Sequence, residues 1–406
     1  MGQISELIVG LDIGTTKIAA VVGTMSENGF IVTGVGSHPS KGINKGMVVK
    51  NEEALASISK AVEEAELTSN CEIRSVVIGI DGTHIKGFNS HGATRTKYGE
   101  VTERDIERVL NAAGTVDMPP DCQILHLLPW DYVLDGQNRL ADPMNMLGNR
   151  LEAHCHIIMA LSLAVANLAR CCHLANLRVE NITFAPLAAA RTVLTSDEKE
   201  NGVVLIDMGG STTDILVYEF GNVVCSAMVP FGGINITQDL AHCLQIAAFP
   251  TAEQFKRRHG SAVATEDMEG EKVEVEVSKG ETIDINRRIA CKIIENRTEE
   301  IFQLAFEELA DSGFKRQGAT GVVITGGCAM LPRIDELAER IFGLPARIGK
   351  PLGIHGPVEV ADSPSMTAAI GLAVLGAEEN QFKPEREAPS LEQVWRKMRD
   401  WFRDFF

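Results

Sequence analysis

The sequence predicts an α/β fold in which one unit is used twice, the two copies closing as lobes around a cleft. Three observations carry this. The run Val203-Val-Leu-Ile-Asp-Met-Gly-Gly-Ser-Thr-Thr-Asp-Ile-Leu-Val-Tyr218 sets two β-branched apolar stretches on either side of a Gly-Gly turn, the pattern of a strand hairpin. The run Ile8-Val-Gly-Leu-Asp-Ile-Gly-Thr-Thr-Lys17, followed by apolar Ile18 to Val22, repeats the design, with Asp12 matching Asp207 and Gly14 matching Gly209. The length, 406 residues, exceeds what one hydrophobic core supports.

The residue types at the two turns point to phosphate chemistry. Glycine lets backbone N–H groups turn toward one point and make a concave anion site. Gly14, Thr15, Thr16 and Lys17 in the first copy, and Gly209, Gly210, Ser211 and Thr212 in the second, are therefore candidate phosphate ligands. Asp12 and Asp207, at the strand ends, are placed to hold a hydrated magnesium ion in front of the phosphates and to act in any hydrolysis. Neither turn is a Walker loop, because a strand rather than a helix follows the glycines. One copy alone would fit many ordinary hairpins; two copies suggest a nucleotide held between facing hairpins.

Composition excludes several classes. A net charge of −17 argues against nucleic acid as a partner, since phosphate backbones call for basic surfaces. The nine Cys are scattered singly apart from Cys171-Cys172, and the sequence opens without a signal-peptide pattern, which favours a reducing cytoplasm. His154 and His156 share one strand face but have no second ligand pair at zinc-like spacing, so a structural role is expected. The most apolar run, Ile157 to Ala169, falls short of the roughly 20 residues that a membrane span needs.

Taken in order, Glu52 to Leu67 has helical spacing and Arg74 to Ile80 reads as a buried strand. Between His84 and Met159 the composition turns polar, Gly-rich and Pro-interrupted, with a capped helix at Thr102–Ala113 and strands at Ile124–Val133 and Arg150–Met159. This is an α+β insert, read either as passive decoration or as a contact surface. Leu161 to His173 is a helix, Ile182 to Phe184 a strand, and Phe184-Ala-Pro-Leu-Ala-Ala-Ala-Arg191 a helix whose Ala face permits close packing and joins the lobes. Gly232-Gly233 turns the chain into a helix near Asn235. Thr251 to Gly260 is a further helix, with Thr251 as N-cap and Gly260 just past its end. Glu253, Lys256 and Arg257 lie one turn apart on it, either lining a nucleoside cleft or forming a solvated face. An acidic hairpin occupies Ala262 to Gly280, and Asn286 to Leu309 is a long helix with an apolar stripe that includes Ile289 and Ile294. Val322 to Asp335 reads as a strand, the pair Gly326-Gly327 and a helix; such a diglycine lets a flat ring or ribose approach the backbone. Thr367 to Leu375 closes the body.

Residues 377–390 form a polar linker with two Pro. In 391–406, Leu391, Val394, Trp395, Met398, Trp401, Phe402 and Phe405 recur at helical spacing, with Arg396, Lys397, Arg399 and Arg403 on or beside the other face. That is the design of an amphipathic helix lying in an anionic membrane surface. Docking of this tail on its own body or on a partner is the bland alternative.

With these motifs laid out, the chain resembles the actin-like ATPase superfamily, which also holds the sugar kinases, and within it the FtsA family of bacterial cell-division actins. The residues that carry the resemblance are Leu11-Asp-Ile-Gly-Thr-Thr-Lys17, Ile206-Asp-Met-Gly-Gly-Ser-Thr-Thr-Asp214, Val323-Ile-Thr-Gly-Gly327 and Ala252-Glu-Gln-Phe-Lys-Arg-Arg-His-Gly260. It implies an actin-like duplicated two-lobe fold with an α+β insert in the first lobe and a C-terminal amphipathic helix. It implies a division at 1–83 with 160–200 as first lobe core, 84–159 as insert, 201–234 with 313–376 as second lobe core, and 235–312 as outer subdomain. It also implies ATP and Mg2+ in the cleft, with Gly232, Gly233, Glu253, Lys256, Arg257, Gly326 and Gly327 on the nucleoside side. As partners it implies copies of the chain in a filament, other divisome proteins, and the C-terminal peptide of FtsZ, with Arg287, Arg288 and Lys292 as contacts. The place of action would be the cytoplasmic face of the inner membrane. Where hydrolysing relatives carry a water-ordering Glu in the segment joining the lobes, this chain has Ala185, which implies at most a slow ATPase. A pilus-assembly adaptor of the same fold and a sugar-kinase or exopolyphosphatase-type enzyme remain the competing readings.

Overall fold

The computed structural model describes residues 7–137, 139–278, 281–312 and 318–382. Two sheets share one plan. In the first, the hairpin Ile8–Ile13/Lys17–Ser26 is flanked by the antiparallel strand Gly29–Pro39 on one side and by the parallel strands Ser75–Ile80 and Arg178–Phe184 on the other. In the second, the hairpin Val203–Met208/Thr213–Glu219 is flanked by antiparallel Asn222–Val229 and by parallel Val322–Thr325 and Ala346–Ile348. The short strand Ile354–His355 adds to the outer edge of the first sheet. Apolar β-branched runs with little alternation form the central strands, as expected where both faces of a sheet are covered.

Helices cover the first sheet at very short range. Asn51–Ser69 crosses one face over Gly36, where an added Cβ would stand 1.9 Å from the Ala61 carbonyl oxygen. Thr367–Phe382 crosses the other face over Gly10, where a Cβ would stand 2.1 Å from the Ala369 carbonyl. That last helix also meets Ala185–Val193 at Gly371, 1.9 Å from the Ala188 carbonyl by the same measure. The Ala-rich face expected of the joining helix is thus the surface that the last helix lies on.

The insert is a sheet of Lys86–Arg95, Arg150–Leu161, Cys122–Leu134 and Arg139–Leu140, with the helix Glu103–Gly114 on one face. Thr102 and Asp105 cap that helix reciprocally. Its core of Val101, Val109, Tyr132, Leu134, Leu151 and Ala153 is separate from the two larger ones. Outside the second sheet stand Gly233–Cys243, Phe249–His259, Arg287–Asp311 and the hairpin Lys272–Ser278/Glu281–Asn286.

Several expectations are corrected. The last helix does not stop at Leu375 but continues to Phe382, through the first part of the expected linker 377–390; no residue from Ala377 to Phe382 breaks a helix, and Pro384 is the first that would. Its buried residues Ala369, Ile370, Ala373 and Val374 pack with Ile8, Val21 and Phe30, so the end of the 313–376 stretch belongs to the first core rather than the second. The helix expected from Thr251 begins at Phe249 with Ala248 as N-cap, since Pro250 suits a first turn. Gly260 ends it in extended backbone, φ −72° and ψ 156°, not in the left-handed region. The helix placed near Asn235 starts at Gly233. Gly326-Gly327 leads into a 3-10 turn, Gly327–Met330, before the helix Ile334–Phe342. Ile289, expected on the buried stripe of the long helix, is 57% exposed, and Ala290, Cys291 and Phe302 are buried instead. The expected amphipathic helix with Leu391, Val394, Trp395, Met398, Trp401, Phe402 and Phe405 lies outside the described residues.

Candidate nucleotide site

The two glycine hairpins meet tip to tip. The Gly14 N–H donates to the Lys17 carbonyl at 3.0 Å and the Gly209 N–H to the Thr212 carbonyl at 2.9 Å, so identical closures form both turns. The Thr15 and Ser211 hydroxyls are 2.8 Å apart across the cleft. A Cβ at Gly210 would stand 2.4 Å from Thr16 Cγ2, so glycine here answers to close approach. The second hairpin is held from behind, where the N–H groups of Gly233 and Ile234 donate to the Gly209 and Gly210 carbonyls at 3.0 and 2.7 Å. The glycine N–H groups at positions 14 and 209 are therefore spent in closing the turns. The hydroxyls of Thr15, Thr16 and Ser211 stand where the tips meet, while that of Thr212 is hydrogen-bonded to Asp214.

Carboxylates gather behind the tips. Asp12 and Asp207 come from equivalent strands, and Asp207 pairs in register with Asp214 on its own hairpin. Asp81 joins them from the end of Ser75–Ile80. Burial, then repulsion from Asp12, pushes Asp207 up to about 7. Asp81 is likewise pushed up to about 7 by burial and by the charges of Asp12 and Asp207. Burial raises Asp12 also, opposed by Lys17. Asp214 is held well above the usual carboxylate range by burial and by Asp81, and its Oδ1 has no hydrogen-bond partner. Lys17, lowered by burial and supported by Asp12, gives its ammonium to the Ser365 carbonyl at 2.6 Å. Asp12 and Asp207 resist ionisation, both through burial and Asp207 also through the charge of Asp12, and so fit a cation. Among the described residues no trio of His, Cys, Asp or Glu converges closely enough to hold a metal ion directly. A cation here would therefore be held through water and phosphate oxygens.

On the far side, Lys256 donates its ammonium to the Gly233 carbonyl and to the Thr237 hydroxyl, both at 2.8 Å. Glu253 binds Lys256 and Arg257 at 2.8 Å each. Gly232 is fixed by the Asn235 side chain at 3.0 Å. Gly326 has φ +87°, and a Cβ there would stand 2.4 Å from Asp207 Oδ1; at Gly327 nothing lies within 4 Å, so this glycine faces open space. Cys328 links the two regions through its thiol, 3.3 Å from the Gly209 carbonyl. The structure thus gathers the residues named for phosphate and nucleoside around one cleft.

It leaves Arg287, Arg288 and Lys292 apart, on the outer helix. Each already has an acidic neighbour: Glu271 for Arg287 at 2.8 Å, Glu269 for Arg288, and Glu295 for Lys292 at 3.1 Å. Sequence reasoning missed Asp81, Asp214, Thr237 and Cys328. Asp81 carried a usable signal, since Ile80-Asp81-Gly82 repeats the strand-end Asp of the two hairpins. The histidine pair is structural: His156 is buried between Asn89 Oδ1 and Ser226 Oγ, 2.7 Å from each, and His154 binds Asp131.

Two sheets of one plan, each presenting a glycine hairpin to the other, define an actin-like nucleotide-binding fold. The solved PilM-PilN type IV pilus biogenesis complex matches with a TM-score of 0.66 at 15% identity over 91% of this chain and 98% of that one. MreB5 of Spiroplasma citri bound to ADP matches with a TM-score of 0.54 at 17% identity over 93% and 97%. At these identities the likeness is one of fold. The family model described as cell division protein FtsA matches residues 204–371, and the model of the SHS2 domain inserted in FtsA matches 82–159. The cell division protein FtsA of Pseudomonas aeruginosa is 39% identical over 378 residues, covering 92% of this chain and 90% of that protein. The chain belongs to the FtsA family of cell division proteins.

Proposed function

We propose that the chain binds ATP with Mg2+ between its two hairpins and uses the nucleotide as a switch. The switch favours assembly with copies of itself and tethers FtsZ to the cytoplasmic face of the inner membrane at the division site. The observation that carries the nucleotide reading is the contact of Thr15 with Ser211 in front of the facing carboxylates Asp12 and Asp207. Hydroxyls of both hairpins would hold the phosphates, and Asp12 and Asp207 would hold the cation through water. Gly326 and Gly327 would receive the nucleoside, with Glu253, Lys256 and Arg257 on its other side. Bound phosphate and cation would supply the charge that draws the two lobes onto one ligand. With Ala185 where hydrolysing relatives have a carboxylate, turnover would be slow.

The partner readings rest on family membership and on two local features. Ile289 stands exposed between Arg288, whose partner Glu269 is a surface carboxylate, and Lys292, which is paired with the buried Glu295. A partly acidic, partly apolar FtsZ peptide fits that combination. The insert at 84–159 would meet other copies and other divisome proteins. No helix among the described residues is long and apolar enough to cross a membrane, so attachment would fall to the amphipathic tail. Each tail cation near an anionic surface adds roughly 1 kcal/mol, and an array of tails holds by avidity.

The test is co-sedimentation of the purified chain with anionic liposomes, ATP and FtsZ. Removing residues 391–406 should abolish sedimentation with liposomes while leaving ATP affinity intact. Sedimentation of the shortened chain with liposomes contradicts the membrane reading, and an absence of ATP binding contradicts the switch.

A further inference from the structure

Ala185 does not stand alone at the end of its strand. In the parallel pair, Phe184 is the register partner of Ile80, so the next step along both chains sets Asp81 beside Ala185. The direction of the side chain follows from Gly79, two residues earlier on the same strand face. A Cβ built on Gly79 lies 3.0 Å from Leu372 Cδ1, 3.3 Å from Ala185 Cβ and 3.7 Å from Asp12 Oδ1. The face that carries Asp81 therefore runs from Leu372 past Ala185 and Asp12, and the charges of Asp12 and Asp207 reach Asp81 there.

The backbone around Asp81 is held tightly. A Cβ at Gly46 would stand 2.0 Å from the Asp81 carbonyl oxygen, and Gly82, at φ +119°, would meet the Lys45 carbonyl at 2.4 Å. The Lys45-Gly46 loop thus lies directly on the Asp81-Gly82 backbone, which leaves the strand end little room to shift. Asp81 feels the charges of Asp12 and Asp207, and Asp214 in turn feels Asp81. Asp214 is only 3% exposed and its Oδ1 lacks a hydrogen-bond partner, which marks a place in this pocket that a water or ligand donor should fill. Asp12 and Asp207 already have a use at the cation; Asp81 has none.

We propose that Asp81 is the carboxylate that orients the attacking water at the γ-phosphate, taking from the neighbouring strand the place that Ala185 leaves open. This rests on the reading of the cleft as an ATP site. In the step, the water oxygen bonds to the γ-phosphorus and the bond from that phosphorus to the β,γ-bridging oxygen breaks. The electron pair stays with ADP, and the water's proton passes to the Asp81 carboxylate and from it to solvent. The products are ADP and inorganic phosphate.

The experiment uses the full chain and its variants Asp81→Asn and Asp81→Asn/Ala185→Glu. Three quantities are read: the dissociation constant for ATP, the single-turnover rate of phosphate release, and the thermal midpoint. Asp81→Asn should slow cleavage ~10-fold or more, with ATP affinity within about threefold of the parent and a midpoint unchanged or raised, since one repelled charge is gone. Ala185→Glu in the same chain should restore cleavage, which a merely structural role for Asp81 would not allow. Cleavage by Asp81→Asn at the parent rate overturns the assignment, and so does a parent chain that binds ATP and never cleaves it. A parent chain that fails to bind ATP removes the nucleotide reading itself, and this assignment with it.

Discussion

At the scale of single residues, Asp207 shows how a site can be written against stability. Its folded value of about 7, like that of Asp81, lies above the 3.8 of an unperturbed carboxyl. The folded chain therefore keeps protons that the unfolded chain has released. Stability from such groups is present below about pH 4 and is lost as the pH rises through about 7. His126 and His156, pushed down to about 4 by burial, act in the opposite sense over the same range, so the informative quantity is a difference. The thermal midpoint of Asp207→Asn minus that of the parent, without nucleotide, should grow between pH 4 and pH 7, and Mg2+ should shrink it. A difference that stays flat across that range would show that Asp207 ionises freely. Gly326→Ala combines a positive φ with a Cβ 2.4 Å from Asp207 Oδ1. It should cost about 2 kcal/mol or more in urea unfolding and weaken ATP binding. Asp12 and Asp207 were readable because each ends a strand in front of a Gly turn rich in Thr or Ser. Asp81 offered a weaker form of the same signal, a strand-end Asp before a single Gly, and Asp214 offered none, because nothing local says which strand positions will be neighbours.

At the scale of elements, the strands were legible and several helix ends were not. Runs such as Val203–Met208 are short, rich in apolar β-branched residues and bounded by a Gly turn, which favours a strand over a buried helix. Helix ends depend on weaker signals. Thr251 looked like a cap, yet Pro250 was equally content in a first turn and the helix took the extra residues. Ile289 fitted the apolar period of the long helix, but the neighbouring hairpin and helix cover another face, and Phe302 and Ala290 went inside. The Ala face of Ala185–Val193 announced close packing without naming its partner. That partner is Thr367–Phe382, at Gly371. Gly371→Val should destabilise the chain by ~3 kcal/mol or more through overpacking, measured as a lower urea midpoint with unchanged slope. A loss under ~0.5 kcal/mol would mean that the two helices part without cost.

At the scale of the whole molecule, the insert is fastened to the second sheet although the chain enters it from the first. His156, on an insert strand, accepts from Ser226 and donates to Asn89, while the Asn89 amide donates to the Val224 carbonyl at 3.1 Å. Gly87 leaves room for this bridge, since a Cβ there would stand 2.0 Å from Ser226 Oγ. His156→Leu leaves Asn89 and Ser226 without their partner and should cost about 1–3 kcal/mol. Amide exchange should then quicken in Lys86–Arg95 and Asn222–Val229 and hardly at all in Ile8–Ile13. Equal quickening everywhere would deny the bridge any local role. By itself, the sequence determined the duplicated hairpins, the two-lobe α/β class and the candidate phosphate residues, because hydrophobic period and Gly-turn chemistry act over a few neighbouring residues. Only the tertiary structure decided that the last helix returns to the first core, that the insert is tied to the second sheet, and that Asp81 comes to lie beside Ala185. Those contacts join residues tens to hundreds of positions apart, and only packing brings them together.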